Sequence, residues 1–288
     1  MKRLVCEMCG STDLIKDGGV FICQNCGCKY SVEEAKKMMI EGTVKIDNTE
    51  KVDNLYKIAR QARDSDDSEN AAKYYGMIIQ EDPNSWEAAF YNVYYRAMQT
   101  IIVNISSSVN SITNCLPNVF NLIKANYDNE LEKKTAILEV GNDIARAASI
   151  FESSARDTMI TNDARMFTYL YEGAGEDSVS EFLEYVDRVE AVYNMCFRYG
   201  DLVVMHCPND AQMSQMAIAS WEAGVNLWTK VYWVFDNYAE RRNKMENTYV
   251  RKIKQYLPGY SIPYPSVSDF PDHWKQTIRR RVPNMNYI

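Results

Sequence analysis

Four cysteines near the start of the chain have the residue type and the spacing to do chemistry. They form two C-x-x-C pairs, Cys6 with Cys9 and Cys23 with Cys26, and thirteen residues separate the pairs. Thiolates are good ligands for soft and borderline metal ions, and two such pairs can surround one tetrahedral ion. Because a shell of four cysteines leaves no open position for a substrate, the spacing predicts one structural Zn²⁺ bound by these four residues.

The residues around the two pairs predict a small β-structure that would hold them. Each pair is followed by a glycine, Gly10 or Gly27, which supplies the positive φ that a tight turn needs. Residues 14–16 and 20–22 read as two strands on either side of a D-G-G turn, and residues 28–30 read as a third strand. About forty residues build too small a core to fold unaided, so the metal is expected to fold this module.

The two C-x-x-C-G motifs resemble those of the zinc ribbon family over residues 4–31. The resemblance implies a zinc-binding ribbon whose ligands are Cys6, Cys9, Cys23 and Cys26. Iron in a rubredoxin-like site and two disulfides remain as alternatives for the same cysteines. Residues 1–41 carry no net charge, unlike the basic face expected of a ribbon that binds nucleic acid.

A capped helix and a linker are predicted after the ribbon. Ser31 and Glu34 have the spacing of a capping box, in which each side chain accepts from the backbone N–H of the other residue. Met38 and Met39 would lie on the apolar face of the helix, which would end at Gly42. The first domain is therefore predicted to be residues 1–42, a zinc ribbon plus a capped helix, and residues 43–51 to be an extended linker.

Residues 52–98 resemble a tetratricopeptide repeat, in which two helices pack through small and aromatic residues. Counting back from Pro83 gives the expected inner positions of the two helices, which are Leu55, Ile58 and Ala59 on the first and Ala71, Tyr75 and Ile78 on the second. Ala62 departs from the family pattern, which has an aromatic residue there. The order of ribbon, capped helix, linker and repeat resembles a group of uncharacterised bacterial proteins, and that resemblance implies no particular activity.

The rest of the chain predicts a helical bundle over residues 99–260 and a basic, proline-containing tail over residues 261–288. One apolar stripe recurs at helical spacing up to Pro117 and continues after it, formed by Ile101, Ile102, Ile105, Val109, Ile112, Leu116, Val119, Leu122 and Ile123. A long helix is expected from Glu130 to about residue 160. The last helix, with aromatic residues from Trp221 to Tyr238 read as core, either continues to Leu257 or breaks near Arg241. The fold class is therefore mainly α.

Composition and charge restrict the environment and the partners of the chain. The net charge of −7 combines a strongly acidic middle, residues 42–240, with a basic end, residues 241–288. An acidic body disfavours general nucleic-acid binding, although the basic end could contact phosphate or dock on the body. No secretory signal and no membrane-spanning run are apparent, and the scattered cysteines outside the two pairs do not resemble a disulfide framework. These features predict a cytoplasmic protein without membrane contact.

No catalytic constellation is apparent, so the chain is not expected to be an enzyme. It has two histidines, His206 and His273, and neither belongs to a known catalytic motif. His206 and Cys207 are neighbours in sequence, but adjacent side chains on a helix point apart and cannot form a catalytic pair. The functional hypothesis is a zinc-binding adaptor or scaffold for protein partners. The alternative is a nucleic-acid-associated regulator that uses the ribbon and the basic C-terminal segment.

Overall fold

The computed structural model describes residues 4, 6, 8–9, 11–35, 49–161, 176–232 and 238–263. It confirms the mainly α fold class, because the described chain consists of a small three-stranded sheet followed by a helical bundle. Two compact units are present, residues 1–50 and residues 51–288. Predictions for Met38, Met39, Gly42, His273 and the tail beyond residue 263 lie outside the described residues.

The N-terminal unit contains an antiparallel sheet in the order β1-β2-β3. Its strands are β1 (Leu14–Asp17), β2 (Val20–Cys23) and β3 (Lys29–Ser31). Gly18 and Gly19 connect β1 to β2 with φ of 55° and 87°, the positive values that a two-residue type I′ hairpin requires. Every strand predicted from the sequence is therefore present, within one residue at each end.

The capping box is also confirmed. The backbone N–H of Ser31 donates to Glu34 Oε2 at 2.8 Å, and the backbone N–H of Glu34 donates to Ser31 Oγ at 3.1 Å. Helical backbone follows from residue 32 to residue 35, where Ala35 is buried. This reciprocal pair satisfies two backbone donors that the first turn of a helix would otherwise leave unpaired.

The second unit is entirely helical where it is described. Its α-helices are α1 (Thr49–Asp64), α2 (Ser68–Glu81), α3 (Trp86–Met98), α4 (Ile105–Asn126), α5 (Glu130–Thr161), α6 (Glu176–His206), α7 (Ala211–Tyr232), α8 (Tyr238–Met245) and α9 (Arg251–Lys254). A 3₁₀ turn, Ile102–Asn104, precedes α4, and a π-helical turn, Glu246–Val250, joins α8 to α9. Helix α6 packs against α4, α5 and α7, and α3 packs against α2 and α4.

The inner positions expected of the first helical pair are mostly buried. Leu55 and Ala59 on α1 are buried, and so are Ala71, Tyr75 and Ile78 on α2. The prediction for Ile58 is wrong, because its side chain is 41% exposed. Leu55, Ala59 and Ala62 define the buried face of α1, and at about 100° per residue Ile58 lies about 70° from the centre of that face, at its exposed margin.

Glu87, whose side chain is buried, joins the first three helices through a polar network. Its carboxylate accepts two hydrogen bonds from the Arg60 guanidinium, at 2.9 and 2.5 Å, and one from the Tyr75 hydroxyl at 2.9 Å. Arg63 extends the network to Glu139 on α5 at 2.9 Å. A buried carboxylate is tolerated only when its oxygens are paired, and this one connects α1 to both α2 and α3.

Helix α4 differs from the sequence prediction at the start of the apolar stripe and agrees with it beyond Pro117. Ile101 and Ile102 are 65% and 43% exposed, so the expectation that they continue the buried face is wrong. At the other end α4 passes through Pro117 and continues to Asn126. Proline removes one backbone hydrogen bond from a helix, but Leu116 and Val119 on either side of it are fully buried, and their packing keeps the segment helical.

After α7, the described end of the bundle is a helical run from α8 to α9 that contains the π-helical turn Glu246–Val250. The aromatic stripe on α7 is core, as expected, since Trp221, Val225 and Trp228 are buried. After α7 the described chain resumes at α8, and Val250 and Ile253 bury the following segment against the body. Residues 233–237, where the two would connect, lie outside the described residues.

Candidate metal centre

The structure brings all four predicted cysteine ligands together. The Sγ atoms of Cys6, Cys9, Cys23 and Cys26 lie within 4.8 Å of one another, so the four residues could hold one metal ion. The Sγ–Sγ distance is 3.5 Å between Cys6 and Cys26 and 3.6 Å between Cys9 and Cys23. A disulfide needs about 2.05 Å, and all four cysteines are free, which argues against the two-disulfide alternative.

Tight backbone turns aim the four thiols at one point. In the first pair, the backbone N–H of Cys6 donates to the Ser11 carbonyl at 2.8 Å, closing the turn that contains Cys9. In the second pair, the backbone N–H of Cys23 donates to the Cys28 carbonyl at 2.9 Å. Gly27 lies in this second turn with φ of 74°, as expected from its place after the pair.

The hairpin fixes the distance between the two turns. Cys23 ends β2 and lies opposite Leu14 in the register with β1, so the second pair begins where the first strand begins. Cys6 and Cys23 are each 1% exposed, whereas Cys9 and Cys26 are exposed. The cluster therefore has one pair of sulfurs covered by protein and one pair at the surface.

Tyr30 on β3 contacts the cluster, a feature that the sequence analysis missed. Its hydroxyl lies 3.1 Å from Cys6 Sγ, close enough to donate a hydrogen bond to the thiolate. Donors of this kind orient metal ligands and stabilise their charged form. The sequence does show an aromatic residue, Tyr30, two positions after Cys28. Only the pairing of β2 with β3 shows which sulfur the Tyr30 hydroxyl reaches.

The thiols of Cys6 and Cys26 do not ionise equally. The Tyr30 hydroxyl, assisted by the backbone N–H groups of Cys9 and Met8, lowers the pKa of Cys6 to about 6. The same contact raises the pKa of the Tyr30 hydroxyl to about 12. The backbone N–H of Cys28 favours the Cys26 thiolate, but the other three sulfurs and burial outweigh it and raise the pKa of Cys26. Since like charges at this spacing repel, only a cation can stabilise four thiolates together.

Among the described residues, Cys28, His206 and Cys207 do not belong to a group that could hold a metal ion. Cys28 is half-buried and does not belong to the group of four sulfurs. The His206 ring packs on Phe120 with their centroids 5.3 Å apart, and burial lowers the pKa of the imidazole. Burial raises the pKa of the Cys207 thiol, which disfavours its nucleophilic form.

Asp201 on α6 centres a second polar cluster that the sequence analysis did not identify. Its carboxylate accepts from Trp221 Nε1 at 3.0 Å and from Lys252 Nζ at 2.6 Å. The Lys252 ammonium also lies 4.4 Å from the centroid of the Tyr249 ring, a cation–π contact. This cluster fastens part of the basic C-terminal region to the body, and a cleft of about 610 Å³ lies beside it.

Comparisons with known proteins return no matching family model, no matching curated protein and no matching solved structure. Within the part of the chain that the structure describes, no helix combines the length and the apolar character needed to cross a membrane. Any statement about function therefore depends on the chemistry of the cysteine cluster and on the surfaces of the two units.

Proposed function

We propose that this chain is a zinc-binding adaptor protein whose N-terminal unit docks on a protein partner. The observation that carries the proposal is the combination of the four-cysteine cluster with exposed apolar side chains on the same small unit. Met8, within the first cysteine turn, is 75% exposed, and Ile15 on β1 is 48% exposed.

The spacing of the four sulfurs supports zinc as the metal. With metal–sulfur bonds of about 2.3 Å, two sulfurs of a tetrahedral zinc site lie about 3.8 Å apart. The 3.5 and 3.6 Å separations within the cluster are near that value. Four thiolates fill the tetrahedron, so the ion would be structural and would contribute folding free energy to the zinc-ribbon-like unit.

The apolar surface of the N-terminal unit supports a docking role. The described residues of this unit bury few apolar side chains, and its interior is instead built around Cys6 and Cys23. A metal that replaces a hydrophobic core leaves apolar residues such as Met8 and Ile15 free to face a partner. Methionine suits such a surface because its flexible, polarisable side chain adapts to different contacts.

The first helices of the second unit support an interaction role as well. Ala59, Ala71 and Tyr75 are all fully buried, as expected of the inner positions of a tetratricopeptide-like pair. Helical repeats of that family present their surfaces to peptides and proteins. The resemblance to this family remains part of the proposal.

The charge distribution favours a protein partner over nucleic acid. Within residues 238–263, Lys252 pairs with Asp201 on the body, and Lys254 pairs with Glu246 at 3.5 Å. Phosphate binding requires cations whose charge is available. These intramolecular pairs reduce the positive charge that the described part of the basic end could offer to a nucleic acid.

Affinity purification with and without nuclease tests the proposal. The full chain would be recovered from its native host alongside the double variant Met8→Ser/Ile15→Ser, with zinc content measured for each. Leu131→Ser is the matched control, because Leu131 is a 70% exposed apolar residue on α5. We expect a protein partner that survives nuclease, is lost with the double variant and is retained with Leu131→Ser.

Two results would contradict the proposed function. Partners that disappear after nuclease treatment would favour the nucleic-acid-associated regulator instead. A nuclease-resistant partner that binds the zinc-loaded double variant as well as the wild-type chain would place the docking surface elsewhere than on Met8 and Ile15.

A further inference from the structure

The two exposed cysteines of the chain both belong to the metal centre. All eight cysteines lie among the described residues, and of these Cys9 and Cys26 are exposed. Cys6 and Cys23 are each 1% exposed, and the remaining thiols are half-buried or buried, namely Cys28, Cys115, Cys196 and Cys207. Because the oxidation of a cysteine depends on the exposure of its sulfur, a small oxidant would react with Cys9 and Cys26 before any other thiol.

Each exposed sulfur contacts a covered sulfur of the other cysteine pair. Cys26 Sγ lies 3.5 Å from Cys6 Sγ, and Cys9 Sγ lies 3.6 Å from Cys23 Sγ. A disulfide bond is about 2.05 Å long, so each contact would shorten by about 1.5 Å to form one. An accessible thiolate beside a second sulfur is the arrangement of a redox-sensitive cysteine and its resolving partner. The cluster contains this arrangement twice.

The surroundings of Cys6 and Cys23 assign the two roles within each contact. The Tyr30 hydroxyl lies 3.1 Å from Cys6 Sγ, and Cys23 is the last residue of the central strand β2. Protein atoms therefore restrict the approach of an oxidant to these two sulfurs, while each stays in contact with its exposed partner. The exposed sulfurs would react with the oxidant, and the covered sulfurs would resolve the product.

We propose that the cluster is a reversible oxidation site, at which hydrogen peroxide converts the four thiolates into the disulfides Cys6–Cys26 and Cys9–Cys23. In each pair the exposed thiolate attacks one peroxide oxygen, the O–O bond breaks, and a sulfenic acid and hydroxide form. The covered thiolate then attacks the sulfenic sulfur, the S–S bond forms and a second hydroxide leaves. Each disulfide thus gives two electrons to one peroxide, and two protons from solvent convert the two hydroxides into water.

Oxidation and metal binding exclude each other at these sulfurs. A thiolate binds Zn²⁺ through its charge, and a sulfur within a disulfide has lost that charge. Peroxide would therefore control the metal content of the N-terminal unit, and reduction of both disulfides would restore the four ligands. This inference rests on the zinc-binding part of the proposed function, but it does not depend on partner docking.

Peroxide treatment of the zinc-loaded, full-length protein tests the proposal, with 4-(2-pyridylazo)resorcinol as the reporter of released zinc. We expect the bound zinc to be released together with the loss of the four cluster thiols. Tris(2-carboxyethyl)phosphine and added zinc should reverse both changes.

Peptide mapping tests the pairing of the sulfurs. Trypsin places the first cysteine pair in residues 4–16 and the second pair in residues 17–29. The proposed disulfides join these two peptides, whereas disulfides within each pair leave them separate. Tandem mass spectrometry of the joined peptides then identifies which cysteines are linked.

Cys28→Ser is the matched control, because Cys28 shares the second tryptic peptide but lies outside the cluster. This variant should release zinc at the wild-type rate. Zinc that is retained after peroxide treatment, disulfides within each pair, or a disulfide that contains Cys28 would overturn the proposal. The zinc content is measured before peroxide is added, so a protein without zinc would contradict the metal assignment itself and this inference with it.

Discussion

The Tyr30 hydroxyl lies 3.1 Å from Cys6 Sγ. Tyr30 belongs to β3, the last strand of the sheet, and Cys6 belongs to the turn that precedes β1. This contact connects the third strand to the cysteine cluster. It gives one of the four thiols a hydrogen-bond donor besides the backbone. The N-terminal unit thus combines four sulfurs with a polar contact that positions one of them.

Removing that hydroxyl is expected to weaken metal binding without dismantling the sheet. Tyr30→Phe keeps the ring but loses the hydrogen bond to Cys6, and outer contacts of this type contribute about 10–100-fold to metal affinity. Competition with a chromophoric chelator would measure the change in zinc affinity. Tyr74→Phe, on α2 in the helical unit, is the control, and equal affinities for the two variants would show that the hydroxyl does not support the site.

One zinc per chain is expected in the purified protein, and Cys6→Ser/Cys23→Ser should remove it. Each pair of cysteines then loses one ligand, and two thiolates hold the ion far less tightly than four. Elemental analysis measures the metal, and amide hydrogen exchange of residues 11–35 measures the loss of structure that should accompany it. Cys28→Ser should retain the metal. Unchanged zinc in the double variant would refute the assigned ligands.

Helix α7 approaches α6 closely at a glycine, and enlarging that residue should destabilise the bundle. A Cβ at Gly224 would lie 2.4 Å from the Phe197 ring, far inside contact distance. We expect Gly224→Ala to lower the free energy of unfolding by about 1–3 kcal/mol, the usual cost of overpacking. Urea denaturation measures the change.

Gly259→Ala is the matched control for this substitution. A Cβ at Gly259 has no heavy atom within 4 Å, so its effect should stay within about 0.5 kcal/mol. A stabilising effect of Gly224→Ala, such as helix propensity alone would give, would contradict the close packing of α7 on α6.

Acid should destabilise the helical unit partly through Asp210. Lys134 donates to the Asp210 carboxylate and the backbone N–H of Met213 donates to it at 3.0 Å, and both contacts lower the pKa of Asp210 in the folded protein. A carboxyl whose pKa is lower in the folded than in the unfolded state stabilises the protein above its unfolded pKa, near 3.8. That contribution is lost as the pH falls further and the folded carboxyl is protonated.

The Asp210→Asn variant should therefore be less sensitive to acid than the wild-type protein. Urea midpoints measured from about pH 6 down to about pH 3 should fall more steeply for the wild type. Parallel curves for wild type and Asp210→Asn would show that the contact with Lys134 does not contribute.

Local features of the N-terminal unit could be predicted from the sequence because neighbouring residues determine them. The spacing of Cys6, Cys9, Cys23 and Cys26 allows all four sulfurs to reach one ion. Gly18 and Gly19 determine the hairpin turn in which they lie. Ser31 and Glu34, which form the capping box, are only three residues apart. Asp210 likewise caps α7 through a residue three positions away.

Helical periodicity predicted which residues share a face, but it did not decide which faces are covered. Ile101 and Ile102 extend the stripe of α4 in sequence and yet are exposed, because they lie at the 3₁₀ turn before α4 and not on the face of the helix. Pro117 does not interrupt α4, because burial of its neighbours outweighs the missing backbone hydrogen bond. Propensity is a weaker force than the packing of a whole helix face.

By itself, the sequence determined the four-cysteine cluster, the three-stranded sheet and the mainly helical body, since these follow from short-range spacing and periodicity. The tertiary structure alone decided that Tyr30 reaches Cys6, that Asp201 holds Lys252, and that Cys6 and Cys9 contact the sulfurs of the other cysteine pair. Each of these relationships joins separate elements of the fold. Their geometry depends on how helices and strands pack after they form, which no local pattern of residues specifies.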